Sequence, residues 1–157
     1  MTKSNKKGTS LVELLAVIVI MGIIAAIAVP SVGALISNSK KNAAVQSANV
    51  VLSSAKTALT AAQATGAGDT TVQKETFDHK DVYYTTAKKL KAGKYIESNP
   101  FGDAESDPDV FFVLSEGTVY IQSAAPTAVV STNVTTTFDC DGQAVKATST
   151  TDSTFTA

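Results

Sequence analysis

Leu11–Val29 reads LVELLAVIVIMGIIAAIAV, an apolar run whose only charge is Glu13. As a helix it spans about 28 Å at 1.5 Å per residue, close to a bilayer hydrocarbon core of about 30 Å. A carboxylate inside hydrocarbon costs about 2.5–3.5 kcal/mol at a helix centre and less near the interface. A segment serving only as an anchor has no use for it, so Glu13 asks for a partner. Upstream, Lys3, Lys6 and Lys7 precede Gly8 with no acid among them, a cation cluster that holds this end in the cytoplasm. Downstream, Pro30 lacks the amide that would bond the carbonyl of Ala26, and with Gly22 and Gly33 it is expected to weaken the helix locally.

The run admits three readings. A secretory signal peptide has the same basic start and apolar stretch, and Ala26-Ile27-Ala28 fits a small-residue cleavage site. A plain signal anchor has the same length and composition. Both leave Glu13 unexplained. The third reading takes in the flanks: Lys6-Lys7-Gly8, then Thr9-Ser10-Leu11-Val12-Glu13-Leu14-Leu15 and the apolar run, resembles the class III signal of type IV pilins and pseudopilins. The resemblance implies a membrane-embedded prepilin peptidase that cuts between Gly8 and Thr9 and N-methylates Thr9. Glu13 then falls at the fifth mature position and Gly22 and Pro30 at the fourteenth and twenty-second, where the family commonly has glycine and proline. Thr9 departs from the family's usual phenylalanine. The resemblance further implies that Glu13 pairs with the α-amino group of a neighbouring subunit, since two charges in an apolar core are tolerable only when matched.

At 157 residues the chain has room for this segment and one modest domain. Its 13 basic residues are all lysine and the net charge is −1; without residues 1–8, ten lysines face fourteen acids for a net −4, which argues against nucleic acid as the main partner. Cys140 stands alone, so no intramolecular disulfide is available. Beyond Ser37-Asn38-Ser39, Val45, Ala48, Leu52, Ala55, Leu59 and Ala62 recur at three- and four-residue steps, with Gln46, Asn49, Ser53, Lys56, Thr60 and Gln63 on the opposite face. That spacing predicts an amphipathic helix ending near Gly66, with one face for a sheet and one for solvent or neighbouring subunits. If straight, Leu11–Ala64 would be about 80 Å long.

The remainder predicts a small α+β head. Gly66–Asp81 reads as a loop and Tyr84–Lys94 as a short helix. Strands are expected at Val110–Leu114, Val119–Gln122, Val134–Phe138 and Ala144–Ala147, with turns at Ser115-Glu116-Gly117 and Asp141-Gly142, forming an antiparallel sheet under the apolar helix face. Thr148–Ala157 reads as a loose tail, Phe155 excepted. The expected domains are a cleaved leader (1–8), a membrane and filament-core helix (9–36) and a globular head (37–157).

No catalytic constellation, cofactor motif or metal set stands out. Asp103, Glu105, Asp107 and Asp109 alternate in a turn region without the glycine and distal glutamate of a calcium loop, and read as a solvated acidic loop. His79 has no neighbouring ligand. Lys80, Lys88, Lys89, Lys91 and Lys94 with Tyr83, Tyr84 and Tyr95 read as a solvated face, and Cys140 as a packed thiol. Asn133-Val134-Thr135 matches a glycosylation triplet of low specificity.

The resulting expectation is a structural, non-enzymatic subunit of a type IV pilus filament, without cofactors, inserted once in the cytoplasmic membrane and later displayed on the cell surface. Its partners would be further copies, the membrane, the prepilin peptidase, an assembly ATPase and a membrane platform, with adhesion, twitching motility, biofilm formation or DNA uptake downstream. Two rivals stay open. One is a pseudopilin of a type II secretion or competence system, for which Tyr95-Ile96 and Asn99-Pro100-Phe101-Gly102 loosely resemble family elements. The other is a membrane-anchored surface protein that never polymerises and binds through the lysine and tyrosine residues.

Overall fold

A computed structural model describes residues 10–149 and 153–157. The fold is α+β and pilin-like, a long N-terminal helix packed on antiparallel sheets. The chain divides into two compact units, Met1–Ser39 and Lys40–Ala157. Helix α1, Leu11–Thr65, runs through both and contains Pro30. In the first unit every apolar side chain from Leu11 to Ile36 is exposed. The α-helical assignment continues through Gly22 and Pro30, and Ser31 Oγ donates to the Ile27 carbonyl at 3.0 Å.

In the second unit α1 buries Ala44, Ala48, Val51, Leu52, Ala55, Ala58 and Leu59. The central positions of the expected stripe hold, while Val45 and Ala62 sit at its partly exposed margin. Four of those seven are alanines. The helix ends at Gly66, whose φ of +70° suits glycine.

The head has more strands than its apolar pattern suggests, and they form two sheets. Strands β1 (Gln73–Phe77), β2 (Lys80–Thr86), β3 (Phe111–Ser115) and β4 (Thr118–Gln122) make an antiparallel meander in that order. Strands β5 (Thr137–Cys140), β6 (Gln143–Thr148) and β7 (Thr154–Thr156) make a second. All three two-residue hairpin loops have positive φ at both positions: Asp78-His79, Glu116-Gly117 and Asp141-Gly142. That is the primed-turn geometry whose twist matches the flanking strands. The last two turns stand where the sequence predicts them. The first does not, and the segment expected as a loop over Gly66–Asp81 instead holds β1 and the start of β2.

Helix α2 (Ala87–Ala92) is shorter than expected, because Tyr84–Thr86 belong to β2. Thr86 caps it by accepting from the Lys89 amide at 3.2 Å. The strand expected from Val134 starts at Thr137; Val134 instead donates its amide to the Ile121 carbonyl at 3.0 Å, capping the edge of β4. The expected loose tail carries β7, with Phe155 buried.

One core lies between the helix face and the two sheets, with Phe112, Leu114 and Ile121 from the first and Phe138, Val145 and Ala147 from the second. Phe155 sits among Phe101, Phe112 and Phe138, with ring centroids 5.5, 6.4 and 6.1 Å away. A smaller cluster of Val82, Tyr84 and Val113 is packed by Phe77, Phe111 and Val130. Val130 belongs to the connection between β4 and β5, so that segment covers part of the first sheet.

Candidate functional site

The candidate site is the start of α1. Ser10 and Glu13 stand three residues apart at the helix entrance: the Ser10 amide donates to Glu13 Oε2 at 3.2 Å, and the Leu14 amide donates to the Ser10 carbonyl at 3.1 Å. This is the carboxylate half of a capping box, in which the third helical residue reaches back to satisfy the N-cap amide. Its sequence signal is the S-x-x-E spacing, which the charge-based reading of Glu13 leaves unused. Glu13 is exposed, as are Leu11, Val12, Leu14 and Leu15 around it. Gly22 has open space where a side chain would stand. Gly8 and Thr9, the expected cleavage and methylation positions, lie outside the described residues. By length and composition α1 can cross a membrane.

Residues 3–29 match the prokaryotic N-terminal methylation motif. The chain carries a class III prepilin-like signal. This is the signal of the type IV pilin and pseudopilin family, whose members are structural rather than enzymatic. Neither a curated protein nor a solved structure matches the chain.

Behind the prepilin-like signal, several of the head's other candidates are occupied in holding the fold. Cys140 is buried, its Sγ donating to the Ala44 carbonyl at 3.2 Å; burial, then the charges of Asp141 and Asp139, push its pKa up to about 12. A thiol that keeps its proton so firmly is a poor nucleophile. His79 is exposed in the β1–β2 turn. In the acidic loop Asp103 pairs with Lys91, and Asp107 Oδ2 accepts from the Ala104 amide at 2.7 Å. Among the described residues no group of three or more His, Cys, Asp or Glu is placed to hold a metal. In Asn99-Pro100-Phe101-Gly102, Asn99 Oδ1 accepts from the Phe101 amide at 3.2 Å and Nδ2 donates to the Gly102 carbonyl. Gly102 has a φ of +96°, and a Cβ there would collide with the Asp107 carboxylate.

Tyr83 and Tyr84 do not join the lysines in an exposed patch. Tyr83 and Tyr84 are buried, in different clusters. Lys80 pairs with Glu116, Lys91 with Asp103, and Lys88 donates to the Asp107 carbonyl at 3.1 Å. Burial first, and then the bond to Glu75, raises the Tyr84 phenol above its ordinary pKa. Asn133 of the glycosylation triplet is engaged internally, since its Oδ1 accepts from the Ile121 amide at 2.7 Å and its Nδ2 donates to the Ser149 carbonyl.

Proposed function

We propose that the chain is a structural subunit of a type IV pilus filament. The observation that carries this reading is the prepilin-like signal at residues 3–29, continued by a helix whose apolar side chains from Leu11 to Ile36 stay exposed among the described residues. In this reading residues 1–8 are a leader that a prepilin peptidase removes after Gly8, Thr9 is N-methylated, and residues 9–36 first hold the precursor in the cytoplasmic membrane. An assembly ATPase and a membrane platform then transfer the helix into the core of a surface filament, a homo-oligomer displaying the 37–157 heads. Gly22 and Pro30 are the points where the helix yields as it packs. No catalysis or cofactor is involved.

The test is the mass of the mature chain recovered from sheared surface fibres. The expected N-terminus is N-methyl-Thr9. A chain starting at Val29 would establish the secretory signal peptide instead. Processed Thr9 protein that stays in short envelope-bound assemblies would favour the pseudopilin, and processed chains that never associate would favour the non-polymerising anchor.

A further inference from the structure

Outside Leu11–Ile36, the large apolar side chains exposed among the described residues are Val50, at 61 %, and Tyr95, at 42 %. They line one groove. It has a volume of ≈ 400 Å³ and runs between α1, where Ser47 and Ser54 flank Val50 and Val51, and the chain from Tyr95 to Pro100, with Ile96 and the exposed Glu97 also lining it. Two isolated apolar residues on a surface are ordinary; here the two converge on one groove, which offers a partner apolar surface to cover.

The charges select the occupant. From Leu14 to Gly68 the sequence has no acidic residue, and its charges are Lys40, Lys41 and Lys56. In α1, Val32, Ile36 and Lys40 recur at four-residue steps, an apolar pair followed by a cation, and all three are exposed. Glu97, the acid of the groove, makes no ion pair among the described residues, and neither does Lys40. A groove of mixed lining, with an apolar part at Val50, Tyr95 and Ile96 and a single acid at Glu97, fits a helix stripe that is apolar and then basic. We propose that this groove seats the Val32–Lys40 stretch of α1 from a second copy of the chain, with Lys40 of one copy beside Glu97 of the other. The proposal rests on the filament reading and names a subunit contact within it. Charge complementarity would set the register of the contact and apolar burial would supply its strength.

Disulfide trapping tests it, because buried Cys140 leaves a silent background. Full-length Val50→Cys and Ile36→Cys chains are expressed together, and sheared fibres are oxidised and run on a non-reducing gel. A linked dimer is expected only when both variants are present. Normal fibres without that dimer would overturn the proposal, as would an equal dimer from Val50→Cys alone, which would mean groove facing groove. If no fibres form even from the unaltered chain, the filament reading fails, and oxidation of the membrane fraction decides the contact separately: a mixed dimer there keeps it, and none sinks it. As a second measurement, Glu97→Lys should lower fibre yield several-fold and Lys40→Glu in the same chain should restore it. Failure of that restoration would remove the charge pairing.

Discussion

The side-chain amide of Asn49 on α1 brackets the backbone of Phe155 on β7. Its Oδ1 accepts from the Phe155 amide at 3.1 Å and its Nδ2 donates to the Phe155 carbonyl at 3.4 Å. By helical periodicity Asn49 belongs to the polar face, yet its amide completes the edge of a strand that has only three residues with which to hold on. Asn49→Ala leaves both backbone groups without their partner and should lower stability by about 1–3 kcal/mol. Phe155→Ala, which empties the centre of the aromatic cluster, should cost more, about 3–5 kcal/mol. Urea midpoints of the head fragment, with proteolysis of its C-terminal strand, check both.

That fragment is itself a prediction. Burial on α1 begins at Ala44, and the continuous exposed apolar surface ends at Ile36. Residues 37–157 should therefore give a soluble protein with mixed helix and sheet in circular dichroism. Persistent aggregation, or a purely helical spectrum, would contradict the packing described.

The β1–β2 turn should be improvable. Asp78 and His79 hold φ of 48° and 62°. A side chain in this left-handed region costs about 1–2 kcal/mol, and glycine's extra backbone entropy returns about 0.5–1. His79→Gly should stabilise the fragment by about 0.5–1 kcal/mol, seen as a raised midpoint with an unchanged slope.

Legibility followed the kind of signal each element carries. The helix stripe around Leu52, the strands β3, β4 and β6, and the two turns containing glycine announce themselves through periodicity and Gly117 or Gly142. The β1–β2 hairpin does not, since Gln73–Phe77 is largely exposed and its turn lacks glycine. Strand β7 rests on Phe155 meeting α1 and three distant phenylalanines, contacts that no local window contains. The division into two sheets is likewise a long-range outcome. At the N-terminus the charge of Glu13 stands out against its apolar surroundings, whereas its hydrogen bond to Ser10 emerges only when the two residues are taken together as a helix cap.

Those two properties of Glu13 can be separated. Glu13→Gln keeps a side-chain acceptor for the Ser10 amide and removes the charge, whereas Glu13→Val removes both. If the carboxylate pairs with the α-amino group of a neighbour, neither variant should yield fibres as the sole copy, while both should still be processed after Gly8. Normal fibre yield from Glu13→Gln would show that helix capping, and not charge pairing, is what assembly requires. Comparing processed chain in membranes with chain in the sheared fraction reads the outcome.

Cys140 gives the head an alkaline limit. Its pKa rises from 9.0 to about 12 on folding, so the folded state holds the proton more tightly than the unfolded chain. The associated stability is fully present below pH 9 and is lost as pH climbs towards 12. Cys140→Ala should flatten that part of the profile relative to the unaltered fragment, and a thiol reagent at neutral pH should label Cys140 only on unfolding.

The closure of α1 by β7 also sets a clock. Asn49 and Phe155 are 106 residues apart. At about 5–20 residues per second, ribosomal synthesis separates them by roughly 5–20 s. Throughout that interval the first half of the head exists without the strand that seals it, while the apolar segment ahead of it has already been made. A nascent chain in this state presents two sticky surfaces at once, one suited to lipid and one suited to its own unfinished sheet. In the filament reading, early capture of Leu11–Ile36 by the membrane would remove the first before the second could find it, and insertion during translation would then safeguard folding as well as deliver the chain.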